Sequence, residues 1–262
     1  MNIVPFPPVE FIAGDPGATL LLVCDHASNR LPAEYGDLGL PAAAFARHIA
    51  YDIGAAAVTR GLAARLRAPA ILSTWSRLLI DPNRGEDDPT LVMRLSDGAI
   101  VPGNHRVDGG EIERRLAGFH RPYHAAIGGQ LAAMAARGPA PAVFSIHSFT
   151  NCWKGVERPW HVAVLWDRDP RFVEPLLGEL RAQGDLVVGD NEPYDGALAN
   201  DTMHRHCTRA GLAHALIEIR QDLIGGEAGV ARWVDRLAPM LARIDALAQL
   251  HEVRHFGSRS DD

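Results

Sequence analysis

The sequence predicts an α/β fold: one three-layer α/β/α domain around a mainly parallel, mixed sheet. Two observations carry this expectation. Short apolar runs alternate with longer segments of helical period along most of the 262 residues, the pattern of strands joined by crossover helices. Several of these runs also end on polar side chains, which is where open α/β sheets place their ligands and chemistry.

The first such run is residues 19–24, bounded by Gly17 and by a Ser-Asn-Arg-Leu-Pro stretch, and it has the composition of a buried strand. Pro41 then opens an Ala-rich segment to about Arg67 in which Phe45, Ile49, Ile53, Ala56 and Leu62 fall near helical spacing, predicting a long first helix. Residues 69–74 form the next strand. Residues 75–108 carry Pro82, Gly85, Pro89, Gly98, Pro102 and Gly103 and predict a long functional loop. Helical periodicity returns over residues 111–137, with Pro122 and Gly128-Gly129 expected to bend or break it.

The second half predicts strands at 142–147, 161–166, 186–188 and 213–219, with helices near 171–183, 201–210 and 228–250. No linker or repeat divides the chain, so residues 1–262 are expected to form a single domain, with a frayed polar tail over residues 251–262.

Composition narrows the function. The hydrophobic fraction of 47% and net charge of −6 suit a globular protein with one substantial core. No Lys/Arg block marks a nucleic-acid or anionic-membrane surface, so a small soluble substrate is expected. The three cysteines, Cys24, Cys152 and Cys207, form no C-x-x-C pair and predict neither a disulfide framework nor a zinc knuckle. The N-terminus lacks the basic and apolar regions of a signal peptide, and the expected location is the cytoplasm.

The chemistry concentrates at strand ends. His26 and His147 each follow a buried run, so two imidazoles emerge from one edge of the sheet, nominating two of the three protein ligands a catalytic zinc site needs. Glu218 interrupts the apolar Leu216-Ile217-Glu218-Ile219 run. A buried carboxylate there is either ion-paired, with Arg220 as the nearest candidate, or a general base whose pKa burial raises. Arg77 and Arg84 flank Leu78-Leu79-Ile80-Asp81-Pro82-Asn83; they either face solvent and pair with Glu86, Asp87 or Asp88, or offer guanidinium groups for a substrate carboxylate. Asp52 stands four residues after His48, and is either its helix-surface partner or a third metal ligand. No P-loop, G-x-G-x-x-G or G-x-S-x-G occurs, which excludes the common nucleotide-binding and serine-hydrolase signatures.

Several pieces in order resemble the N-formylglutamate amidohydrolase family, a branch similar to the zinc carboxypeptidase and aspartoacylase group. They are Asp25-His26-Ala27-Ser28-Asn29, Arg77 with Asp81-Pro82-Asn83-Arg84, Phe119-His120-Arg121-Pro122-Tyr123-His124, Ile146-His147-Ser148, Asn191-Glu192-Pro193-Tyr194-Asp195-Gly196 and the stretch from Ile217 to Ile224. The resemblance implies a zinc-exopeptidase-like fold and one divalent metal, Zn²⁺. It implies His26 and His147 as metal ligands, Glu218 as the catalytic glutamate, Arg77 as the group polarising the scissile carbonyl, and Asn83 with Arg84 as the carboxylate clamp. Tyr194 and Arg220 are further substrate-binding candidates. The wider group presents H-x-x-E at the first ligand site where this chain has His26-Ala27-Ser28-Asn29. The third ligand is therefore left among Asp52, Asp25 and Asn29, with Asp52 favoured.

The implied activity is removal of a short N-acyl group, favoured to be formyl, from an acidic amino acid in amino-acid degradation. A deacylase or carboxypeptidase-like amidase, or a non-catalytic binding protein on the same fold, are the alternatives.

Overall fold

The computed structural model describes residues 7–261. Its centre is a seven-stranded sheet of β1 (Val9–Ile12), β2 (Leu20–Cys24), β3 (Ala70–Ser73), β4 (Ala142–Phe149), β5 (Val162–Leu165), β6 (Val188–Asp190) and β7 (His214–Arg220). The spatial order is β1-β3-β2-β4-β7-β5-β6. Strands β3, β2, β4 and β7 run parallel. The edge strand β1 is antiparallel to β3, and β5 is antiparallel to β7, with β6 parallel to β5. The expected mainly parallel, mixed sheet is thus present, with β1 an edge strand that periodicity did not reveal.

Helices α1 (Ala55–Leu66), α4 (Pro170–Arg181) and α5 (Glu227–Asp245) pack on one face. There Leu22, Phe144, Ile146, Ile217 and Ile219 meet Leu62, Phe172, Leu176 and Leu237. The other face takes α3 (Arg121–Ala135), whose Tyr123, Ile127 and Leu131 cover Leu21, Val23 and Val143. The helices start where local chemistry lets them. Asp169 caps α4 by accepting from the Arg171 amide (3.0 Å), and Pro170 occupies the first turn, where its missing N–H costs nothing.

Four expectations are corrected. The long first helix begins at Ala55 rather than Pro41: residues Ala42–Ala46 make only a short 3-10 turn. The chain between is instead pinned to the sheet edge, because the Asp52 amide donates to the His26 carbonyl (2.9 Å). Gly54 has φ +83°, and a Cβ there would lie 2.3 Å from the Ile224 carbonyl oxygen, so this turn requires glycine. His48 and Asp52 consequently share no helix face, and His48 faces Asp97 instead (3.4 Å).

The helix expected over 111–137 is not broken. It runs as α2 (Gly109–Arg115), a π-helical turn Leu116–His120 and α3, in which Pro122 sits in the first turn. The widened turn removes the clash that Pro122 would make in a regular helix. Residues 201–210 form a similar π-helical turn at His204–Thr208 rather than a full α-helix.

In the expected polar tail, Ser258 is buried, the Glu252 carbonyl accepts from Arg171, and Arg259 pairs with Asp167 and Asp195. No helix among the described residues is long and apolar enough to cross a membrane.

Candidate active site

On the α3 face, the apolar alternation of the parallel strands gives way to polar groups at their C-terminal ends. Asp25 and His26 follow β2, while Ser145 and His147 lie on β4. Glu218 on β7 stands opposite His147 in the register. The segment before α1 brings in Asp52, and the loop after β3 brings Arg77, Asp81, Asn83 and Arg84. His26, Asp52, Arg77, Asn83, Arg84, His147, Tyr194 and Glu218 all line one cavity of about 250 Å³, large enough for an amino-acid derivative.

The two imidazoles are held in the same way. His26 Nε2 faces Asp81 Oδ1 (2.7 Å) and its Nδ1 faces Asp52 Oδ2 (3.3 Å). His147 Nε2 faces Asp25 Oδ2 (2.9 Å) and its Nδ1 faces the same Asp52 Oδ2 (2.8 Å). Carboxylates only accept, so a ring nitrogen donates wherever it carries the proton. With the proton on each Nε2, both Nδ1 atoms turn their lone pairs toward Asp52.

The outer carboxylates are themselves fixed. Asp25 accepts from Thr202 Oγ1 (2.6 Å), and Asp81 accepts from the Asn83 amide (2.9 Å) and from Arg77 Nη2 (3.1 Å). Burial alone would raise Asp25, but the hydrogen bond and charge of His147 hold it down at about 2. Asp81, likewise buried, is held well below the usual range by His26 and Arg77. Asp52 is lowered in the same way, the two imidazoles overcoming its burial.

This donor set fits a metal. Two imidazole nitrogens and a carboxylate oxygen lie within 4.8 Å of one another in a buried cluster. Three acceptors converging without a donor between them require positive charge. In the metal-free chain that charge is an extra proton on His147, whose pKa is raised well above the ordinary value: the Asp25 and Asp52 contacts overcome its burial. A cation bound by the same three atoms would replace that proton. Carboxylates on the far nitrogens are the usual support for metal-ligating histidines, and His₂-carboxylate is a usual donor set for zinc.

Glu218 is the contrasting group. It is 7% exposed, its Oε2 has no hydrogen-bond partner, and burial pushes it up to about 7. Arg220 does not neutralise it: that guanidinium is bound to Asp222 (2.8 Å) and to the carbonyls of Arg158 and Trp160 (3.3 Å each). Nor does Arg220 line the cavity, so its expected substrate contact is not supported by its position. Asn29 is also elsewhere, donating to the Phe45 carbonyl (2.7 Å), and Asp25 lies behind His147 rather than beside Asp52.

Arg77 bridges Asp52 (3.3 Å) and Asp81 (3.1 Å). Asn83 accepts from the Thr202 amide through Oδ1 (3.1 Å), leaving its Nδ2 donors for the cavity. Arg84 is steadied by Thr90 (3.2 Å) and by the Asn83 carbonyl (2.8 Å). His120 and His124 donate to the Arg84 and Pro82 carbonyls (2.9 and 3.0 Å), so two buried imidazoles fix the loop that presents this pair. Sequence reasoning left His120, His124 and Thr202 without roles and did not single out Arg158, which contacts Tyr194. The signal for the first two was their place in the quoted Phe119 to His124 motif; for Thr202 and Arg158 there was none.

The fold is shared with proteins of known structure. A gene product of Agrobacterium tumefaciens of known crystal structure is 31% identical, with a TM-score of 0.86 over 91% of this chain and 95% of its own. The crystal structure of N-formylglutamate amidohydrolase from Ralstonia eutropha superposes with a TM-score of 0.65 at 22% identity, covering 92% and 97% of the two chains, a likeness of fold. No functionally curated protein matches the chain in sequence. The family model for N-formylglutamate amidohydrolase matches residues 18–225, a span from β2 through β7 that takes in every cavity residue described above. The chain is therefore a hydrolase acting on an amide and belongs to the N-formylglutamate amidohydrolase family.

Proposed function

We propose that this chain is a zinc-dependent amidohydrolase that removes the formyl group from an N-formyl acidic amino acid, N-formyl-L-glutamate being the favoured substrate. The observation that carries the reading is the unpaired Glu218 carboxylate in the same cavity as the His26, His147 and Asp52 donors. A zinc ion on those donors would supply a Lewis acid for the scissile carbonyl and lower the pKa of a water to about 7.

The protein's own groups do the rest. Glu218, poised near neutrality, takes the proton of the attacking water and passes it to the leaving amine. Arg77 lines the same cavity and keeps its charge, supported by Asp81 and Asp52 despite burial, so it lies where developing negative charge on the carbonyl oxygen would be offset. Asn83 and Arg84 hold a substrate carboxylate, and Tyr194 closes the wall. Formate and the free amino acid leave. We place this reaction in cytoplasmic amino-acid degradation, in a single catalytic domain.

The test is formate release from a panel of N-formyl and N-acetyl amino acids, before and after a chelator and after zinc is restored. N-formylglutamate should be the best substrate, with activity lost to the chelator and recovered with zinc. Chelator-resistant turnover, or equal turnover of the acetyl analogue, would overturn the metal and formyl assignments respectively.

A further inference from the structure

Three arginines are under a tenth exposed: Arg115 at 2%, Arg171 at 5% and Arg158 at 9%. Arg115 is paired with Glu111 (2.7 Å) and Arg171 with Asp169 (2.5 Å). Arg158 has no carboxylate partner among the described residues. Its Nη1 donates to the Tyr194 hydroxyl (2.9 Å) and toward the Thr150 carbonyl (3.4 Å). Its guanidinium carbon lies 5.0 Å from the ring centre of Tyr194, 5.5 Å from Trp153 and 5.8 Å from Phe149.

Aromatic faces attract a cation but do not neutralise it, and a buried charge without a counter-ion is costly. Arg158 itself does not line the active-site cavity, but the four residues its guanidinium contacts, Phe149, Thr150, Trp153 and Tyr194, do. The Tyr194 hydroxyl accepts from Arg158, so its own proton is directed away from the guanidinium.

We propose that Arg158 and Tyr194 form a second carboxylate subsite, so that the cavity selects substrates bearing two carboxylates: one on Asn83 and Arg84, the other on Tyr194 with the Arg158 charge behind it. The proposal rests on the reading of this cavity as the substrate site. It accounts for a preference for acidic over neutral side chains, which a single clamp does not supply. The two subsites come from different elements, the loop after β3 and the segments after β4 and β6, so they can be altered separately.

Calorimetric titration of the purified full chain with glutarate and with its monoamide, glutaramate, tests this without turnover. The wild type should prefer glutarate about ten- to hundredfold, the scale of a charge-assisted hydrogen bond. Arg158→Gln should reduce that ratio to below about threefold. Tyr194→Phe, which removes one hydroxyl from a partly exposed side chain, should lower the ratio as well and serves if Arg158→Gln does not fold. An unchanged ratio in the folded variants, an equal loss of both ligands, or a wild type that does not discriminate would each overturn the subsite. Formate release by the wild type reports separately on the proposed reaction.

Discussion

Strands β2, β4 and β7 present the same alternation to two different surroundings. Toward α1, α4 and α5 the side chains stay apolar to the strand ends: Leu20, Leu22 and Cys24, then Phe144 and Ile146, then Ile217 and Ile219, all in one core cluster. Toward α3 the apolar run stops at Val23, Val143 and Leu216. Asp25, Ser145, His147 and Glu218 follow it, and all are buried. One face places its last residues in hydrocarbon and gains stability by burial. The other buries carboxylates and imidazoles, which is costly unless each has a partner, and Glu218 Oε2 has none. Adjacent residues of one strand, such as Ile217 and Glu218, thus serve opposite ends.

That division is broken most directly at Glu218. Glu218→Gln keeps the shape and loses the basicity, so turnover should fall about 10²–10⁴-fold while metal content, measured by atomic absorption, stays at the wild-type level. Wild-type turnover in the purified variant would remove Glu218 from the reaction and leave it a merely buried acid.

The opposite experiment is made at Phe144, fully buried and stacked on Phe172 with ring centres 5.6 Å apart. Phe144→Ala should cost about 3–5 kcal/mol of stability, read from denaturant unfolding. The kcat of the folded protein should stay within about threefold of wild type. A loss of kcat as deep as that of Glu218→Gln would show that the two faces are not separable.

The same division explains what could be read in advance. The core strands and the mainly parallel sheet were legible because apolar runs of that length have few other uses. His26, His147 and Glu218 were legible because a polar residue at the end of such a run is conspicuous. What the local pattern hid were effects of chain reversal. The 47–54 segment has the period of a helix, yet the Asp52 amide bonds to the carbonyl after β2, and that contact, 26 residues away, decides its shape. Asp52 was favoured as a third contributor beside the two imidazoles, and it does approach both, but from an irregular turn rather than the expected helix. Arg220 shows the converse. It follows Glu218 by two residues and shares its side of the strand, but Asp222 two residues further on captures it.

The smallest expected effect concerns the stability of the α3 face itself. Glu218 is raised from 4.5 to about 7 by burial, so between those values the folded chain holds a proton that the unfolded chain releases. Protonation therefore favours folding in that window. The contribution is fully present below pH 4.5 and is lost as pH rises through 7, where the buried carboxylate must ionise without a partner. The shift corresponds to at most about 3 kcal/mol. Gln cannot ionise, so in chelated protein Glu218→Gln should match wild type within about 1 kcal/mol near pH 5 and exceed it by about 1–3 kcal/mol near pH 8. Urea unfolding at the two pH values measures this. The variant that loses turnover would then be the more stable protein at pH 8, which is expected if Glu218 is kept unpaired for reaction rather than for folding. A gap that does not widen with pH would mean that Glu218 finds a partner in solution, and the contrast between the two faces would then rest on His147 and Asp25 alone.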